Sequence, residues 1–191
     1  MRLHDVSSLE AQFSRVLASA KSGDEQAWTA IYSDLAPALH GYLRLRGAAS
    51  AEDLLGETFL QLARKLQDFE GEYAQFRSWA FVITHHRLID ERRRHGRRPT
   101  VNGEDELAEV ADPSHSPEQI ALANDEWPWV AEQLSALTQD QQDVILLRVM
   151  GGVSVEETAA ALGKKSGTVR VIQHRALTTL RHSMRARSVT E

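Results

Sequence analysis

Cysteine is absent from the 191 residues. That excludes disulfides, thiolate metal sites and cysteine nucleophiles, and it suits a reducing compartment. Proline is scarce, with five residues, and glycine numbers eleven, so a collagen-like or proline-rich chain is excluded. No apolar run reaches the ~18 residues that a spanning helix needs, so no membrane insertion is expected. The first residues, Met1-Arg2-Leu3-His4-Asp5, carry no apolar stretch of signal-peptide length, and a cytoplasmic location is expected. Strand signals are also scarce. β-branched residues do not cluster, and the one Asn-Gly pair, Asn102-Gly103, lacks flanking alternation. No serine, histidine and acid set, glycine-rich phosphate loop or paired-carboxylate motif stands out, so no catalytic residue and no cofactor is assigned. What is present is 42% hydrophobic and 26% charged residues, a globular balance. The length fits one medium domain or two small ones.

The net charge of −5 argues against a nucleic-acid binder only on average, because charge is sorted along the chain. Arg77 to Arg98 holds seven arginines against Asp90 and Glu91. Pro99 to Asp143 holds eleven acids and no Lys or Arg. Lys164 to Arg187 holds seven Lys or Arg and no acid. Two basic blocks around an acidic stretch suggest two anion-facing surfaces and a spacer.

Helical periodicity is widespread and predicts an all-α chain, with helices near 8–20, 24–46, 51–67, 75–95, 118–135, 139–150, 154–162 and 166–185. Pro37 should interrupt or restart the second. Residues 97–117 contain three of the five prolines, acids and little apolar content. A solvated surface loop is one reading. Its length favours a flexible acidic linker, since long structureless loops are uncommon inside compact domains. Two small helical domains, 8–96 and 118–187, then flank it.

The sharpest pattern lies at 154–185. Ser154 and Glu157 form a capping-box pair, and Gly163 suits a left-handed turn. Ser166 then caps a longer helix. Ala159, Gly163, Val169 and Ile172 hold the spacing of a helix-turn-helix. At 100° per residue, Val169, Ile172, Ala176 and Leu180 share the inner face, and Gln173 sits at its edge. Thr168, Arg170, Val171, His174, Arg175, Thr178 and Arg181 point away. Such a cationic face suits the major groove, with Arg170 able to donate to a guanine edge and Lys164 and Lys165 gripping phosphate. An ordinary helical hairpin with solvated cations is the plainer alternative.

In the segment 51–67, Leu55, Phe59, Leu62 and Leu66 form an apolar stripe, and Asp53, Glu57, Leu60 and Arg64 face the other way. Leu60 among charges reads as a partner anchor or as a plain exposed or packed leucine. Tyr73, Phe76, Trp79 and Phe81 then stand near an arginine cluster. Aromatics interleaved with cations suit single-stranded nucleic acid, where bases stack and phosphates are neutralised. Core aromatics with a basic helix end fit equally well, and Trp79 in particular suits a core. His85, His86 and Asp90 could hold a metal, but no ligand motif completes the set; a satisfied or solvated histidine is the plainer reading, and no metal site is assigned.

Together these residues resemble the bacterial RNA polymerase sigma factors, specifically the extracytoplasmic-function group of the sigma-70 family. AEDLLGETFLQLARKLQDFEGE (51–72) and FRSWAFVITHHRLIDERRR (76–94) look like region 2. LTQDQQDVILLRVMGGVSVEETAAALGKKSGTVRVIQHRALTTLR (137–181) looks like region 4. The resemblance implies a region 2 bundle, a region 4 helix-turn-helix, and initiation of transcription by binding, with no enzyme activity. It implies that Asp53, Leu54, Glu57 and Leu60 meet core polymerase at the β′ clamp helices. It places Phe69, Phe76, Arg77, Trp79, His86, Asp90, Arg93 and Arg94 along the promoter −10 element, with loop 69–75 holding an unstacked base. Lys164, Lys165, Ser166, Thr168, Arg170, Val171, His174, Arg175 and Thr178 would meet the −35 duplex, beside a contact to the β flap. An anti-sigma protein is a further implied partner. Gly56 stands where the family often has glutamine, and Val171-Ile172-Gln173 replaces the commoner Ser-Arg-Leu. The competing reading is a two-domain helix-turn-helix regulator whose N-terminal part senses a ligand or dimerises.

Overall fold

The computed structural model describes residues 6–96 and 127–187. The expected linker 97–117, and the part of the expected helix from 118 to 126, lie outside the described residues. Every element among the described residues is helical. Helix α1 is Val6–Lys21, α2 Glu25–Leu45, α3 Ala51–Lys65 and α4 Tyr73–Gly96, with a 3-10 turn at Leu66–Asp68 before α4. Beyond residue 126 come α5 (Trp127–Ser135), α6 (Gln139–Val149), α7 (Val155–Leu162) and α8 (Ser166–Arg187).

Local chemistry sets the helix starts. The Asp24 side chain accepts from Gln26 N at 3.0 Å and caps α2. Thr138 with Gln141, and Ser154 with Glu157, form reciprocal capping boxes on α6 and α7. Pro37 does not interrupt α2, contrary to expectation. It sits on the exposed face, where the hydrogen bond it removes is open to water. On the opposite face Ile31, Leu35, Leu39 and Leu43 are fully buried. Burying each such side chain stabilises by ~1.5–3 kcal/mol, enough to carry the helix through.

Helices α1 to α4 bury Phe13, Leu62, Phe76, Phe81 and Leu88 at their centre. Val144 of α6, Ala159 of α7 and Val169 of α8 form a small core of their own. The two halves also pack together: residues of α1–α4 and Leu134, Leu137, Ile145, Leu146 and Leu147 belong to one apolar cluster. Arg77 Nη2 donates to Met150 O at 2.9 Å, and Ser78 Oγ donates to Gly151 O at 3.3 Å. Gly151 is needed here, since an added Cβ would lie 2.8 Å from Phe81 Cγ and 2.8 Å from Leu147 O.

A buried polar group seals this contact. Arg46 Nη2 lies 2.8 Å from Asp143 Oδ1, and both residues are buried. Arg46 also bonds Gln142, and Arg92 donates to the Arg46 carbonyl. The Tyr42 hydroxyl and His85 Nδ1 are 2.8 Å apart, with Asp143 Oδ1 3.8 Å from the same nitrogen.

Candidate nucleic-acid interface

The helix-turn-helix forms as its spacing predicts. Gly163 has φ +61°, the left-handed turn between α7 and α8. Ser166 is not the cap, however. Val169 N donates to Lys165 O at 3.1 Å, so Lys165 holds the capping position and Ser166 is the first helical residue. Val169 and Ala176 are buried and Ile172 and Leu180 half-buried, the inner face read from the sequence. Thr168, Arg170, Val171, His174 and Arg175 are exposed together. Thr178 is half-buried and its hydroxyl donates to His174 O. Gln173 stays at the edge, accepting from Arg148 Nε at 3.3 Å. Lys165 is exposed, whereas Lys164 Nζ pairs with Asp140 at 2.7 Å. Arg170 lies 3.1 Å from Glu156, both well exposed, a pair worth little in water and easily exchanged for an anion.

On α3, Asp53 and Leu60 are exposed, Leu60 at 60%, with Glu57 half-buried between them. Leu54 is a correction: it is 3% exposed beside Leu55, Thr58 and Leu62 on the inner face, so it supports the helix and is not part of its outer surface. Glu57 lies 3.9 Å from Arg87 and 4.0 Å from Arg94, linking α3 to the basic end of α4.

Along α4, Trp79, His86, Asp90 and Arg93 follow one stripe at steps of seven, four and three, with Arg94 beside it. His86, Arg93 and Arg94 are exposed, and Trp79 and Asp90 half-buried. Asp90 and Arg93 sit 3.9 Å apart. Arg77, half-buried, stands apart from this stripe. It lies roughly 160° around the helix from Trp79, with its guanidinium over the Phe81 ring and bonded to Met150, on the side covered by the C-terminal half. Phe76 is a second correction: it is fully buried. It packs beneath Phe69, whose half-buried ring stacks on Trp79 at 5.1 Å and 20°. Trp79 is therefore half core and half surface.

His85 is no ligand candidate in this setting. Burial, helped by His86, Arg46 and Arg92, pushes its pKa down to about 4, so the ring stays neutral against Tyr42. Burial and Asp143 together push the Tyr42 hydroxyl pKa up, and burial raises that of Asp143 despite Arg46. Among the described residues no three His, Asp or Glu side chains gather as a metal site.

Sequence reasoning missed two groups. The Arg46–Asp143 pair joins residues far apart in sequence, and nothing local marks either. Lys21 falls just past the helix expected over 8–20 and carried no signal of its own in the sequence, yet it ends α1. Its Nζ donates to Gln67 O at 3.1 Å and to Phe69 O at 2.7 Å, and Gln67 Nε2 donates back to Lys21 O at 2.6 Å.

Family models agree with this division. Residues 31–98 match the model described as Sigma-70 region 2, and residues 133–182 match Sigma-70, region 4. The chain belongs to the extracytoplasmic-function group of the sigma-70 family. It is 34% identical over 171 residues to the ECF RNA polymerase sigma factor ShbA of Streptomyces griseus, covering 85% of this chain and 90% of that one. It is 33% identical over 172 residues to the ECF RNA polymerase sigma factor SigD of Mycobacterium tuberculosis, covering 87% and 81%. The fold is similar to CnrH in its complex with the cytosolic domain of CnrY, at TM-score 0.57 and 23% identity over 90% of this chain and 96% of that one. It is also similar to the sigma factor RpoE with the anti-sigma factor NepR from Bartonella quintana, at TM-score 0.58 and 23% identity over 82% and 96%. No described helix of this sigma factor is long and apolar enough to cross a membrane.

Proposed function

We propose that the chain binds core RNA polymerase and directs initiation at promoters through two separate DNA contacts. The observation that carries this reading is the pair of outward cationic faces. One lies on a groove-sized helix, at Thr168, Arg170, Val171, His174 and Arg175. The other, His86, Arg93 and Arg94, runs along α4 away from the Phe69–Trp79 stack. The first suits a paired −35 element, where base edges are read in the major groove. The second suits a parted −10 strand, where a base stacks on an aromatic ring and phosphates meet arginine. Binding energy on the parted strand offsets unpairing, so initiation proceeds without a bond made or broken by this chain.

Asp53, Glu57 and Leu60 form the polymerase face, toward the β′ clamp helices. The α6–α8 half adds a contact to the β flap. An anti-sigma protein is the regulatory partner, as NepR is for the RpoE whose solved complex shares the fold. Transcription in vitro with core polymerase tests the reading. Promoter-specific transcripts should require the chain. Transcripts equal with and without it would instead favour a regulator acting on a complete holoenzyme.

A further inference from the structure

Helix α1 stands before the residues matched by the region 2 model, which begin at 31. It nonetheless reaches the loop between the α3 end and α4 in two ways. The first is a line of rings. Phe13 of α1 packs on Phe76 at 5.2 Å, Phe76 on Phe69 at 5.2 Å, and Phe69 on Trp79 at 5.1 Å. The second is Lys21, which ends α1. Its ammonium donates to two successive odd-numbered carbonyls of the loop, those of Gln67 and Phe69, and the Gln67 amide returns a bond to the Lys21 carbonyl. Three bonds thus tie one helix end to the backbone on either side of residue 68.

Further bonds fix the rest of the loop. Phe69 N donates to Leu66 O at 3.1 Å, closing the 3-10 turn. Glu72 N donates to Gln75 Oε1 at 3.0 Å, and Tyr73 Oη donates to Asp34 at 2.6 Å. Phe69 is left half-buried with its ring parallel to Trp79, and Trp79 shares the α4 stripe with His86, Asp90 and Arg93.

We propose that Lys21 is a positioning residue for capture of the parted strand: it holds the Phe69 backbone so that the Phe69–Trp79 platform is ready before DNA arrives. This rests on the −10 reading above. The physical reason is preorganisation. A loop already fixed loses little freedom on binding, so more of the stacking energy appears as affinity. Lys21 acts through the loop backbone, with two of its three ammonium donors held by carbonyls.

The test uses the full chain bound to core polymerase. The probe is a short fluorescent single strand selected by the wild-type holoenzyme from a random-sequence pool. Lys21→Ala should weaken strand binding about tenfold. Gln67→Ala, which removes no charge, should weaken it in the same direction. Lys21→Arg, which keeps a cation with several donors, should restore most of it. Core-polymerase affinity and the salt slope of strand binding should not change, because no phosphate contact is lost.

Unchanged affinity in both Lys21→Ala and Gln67→Ala would overturn the proposal. So would a loss confined to Lys21→Ala with a shallower salt slope, which would make Lys21 a phosphate contact. Phe69→Ala and Trp79→Ala separate the two layers. If they impair strand binding and the clamp variants do not, the clamp proposal fails alone. If they leave strand binding intact, or the pool yields no preferred strand, the −10 reading beneath it fails. Gln67 is exposed and Lys21 half-buried, and a melting curve like that of the parent shows that each variant is folded.

Discussion

At the scale of single residues, burial decides which charges act on stability. His85 is 2% exposed and neutral, with a pKa near 4 against the usual 6.5. The unfolded chain takes up a proton as pH falls through 6.5, and the folded chain refuses it until about 4. Stability should therefore fall across that window, by at most about 3 kcal/mol. Asp143 works the other way, since burial raises its pKa and protonation relieves it. The His85 loss is then clearest in the upper part of the window. Denaturant unfolding between pH 7 and 5 measures it, and His85→Gln should flatten the profile. A wild-type profile already flat would show that His85 is not held neutral. None of this was legible in the sequence. The His85-His86 pair reads as a metal site or as a satisfied or solvated histidine, and the partners that satisfy His85 could not be named because Tyr42 and Asp143 come from other helices.

At the scale of elements, periodicity carried most of the reading. The helix-turn-helix follows from Ser154, Ala159, Gly163 and Val169, each with a local reason to be where it is. The α4 faces were harder, because the helix is buried on more than one side. Arg77 looks like its neighbouring arginines in composition, yet the helix turns it toward Met150. Leu54 and Phe76 adjoin outward-facing positions in sequence and themselves point inward. Pro37 shows tertiary burial overriding a local breaker.

Two predictions belong to elements. Gly56 is exposed on α3 with nothing within 4 Å of an added Cβ. Gly56→Ala should raise stability by about 0.5–1 kcal/mol in denaturant unfolding, because Ala is the better helix former. A destabilised variant would mean that the helix there is not what limits stability. On α8, Arg170→Ala with His174→Ala should impair use of a −35 duplex and leave use of a premelted template lacking that element unchanged. Equal loss on both templates would contradict the division of labour.

At the scale of the whole molecule, the two halves form one packed body sealed by Arg46 and Asp143. Sequence reading divided the chain at its acidic stretch but carried no signal for this contact. Arg46 sits among leucines and tyrosine, and Asp143 amid an ordinary amphipathic pattern. A buried pair is costly to break, since removing one partner strands the other, typically at ~3–5 kcal/mol. Asp143→Lys would set a third cation against Arg46 and Arg92. Small-angle scattering of the free chain should then show a larger radius of gyration, with helical content retained. Superimposable profiles for wild type and variant would show that the pair does not hold the halves together.

The central claim is that this chain gives a polymerase its promoter contacts, and association with the core enzyme comes before all else. The chain has no cysteine, so a single introduced one takes a fluorophore cleanly. Sedimentation of the labelled chain with core polymerase is the most direct measurement. The account predicts a stoichiometric complex, weakened about tenfold (~1.4 kcal/mol) by Asp53→Ala with Glu57→Ala. A chain that sediments alone at every core concentration would contradict it.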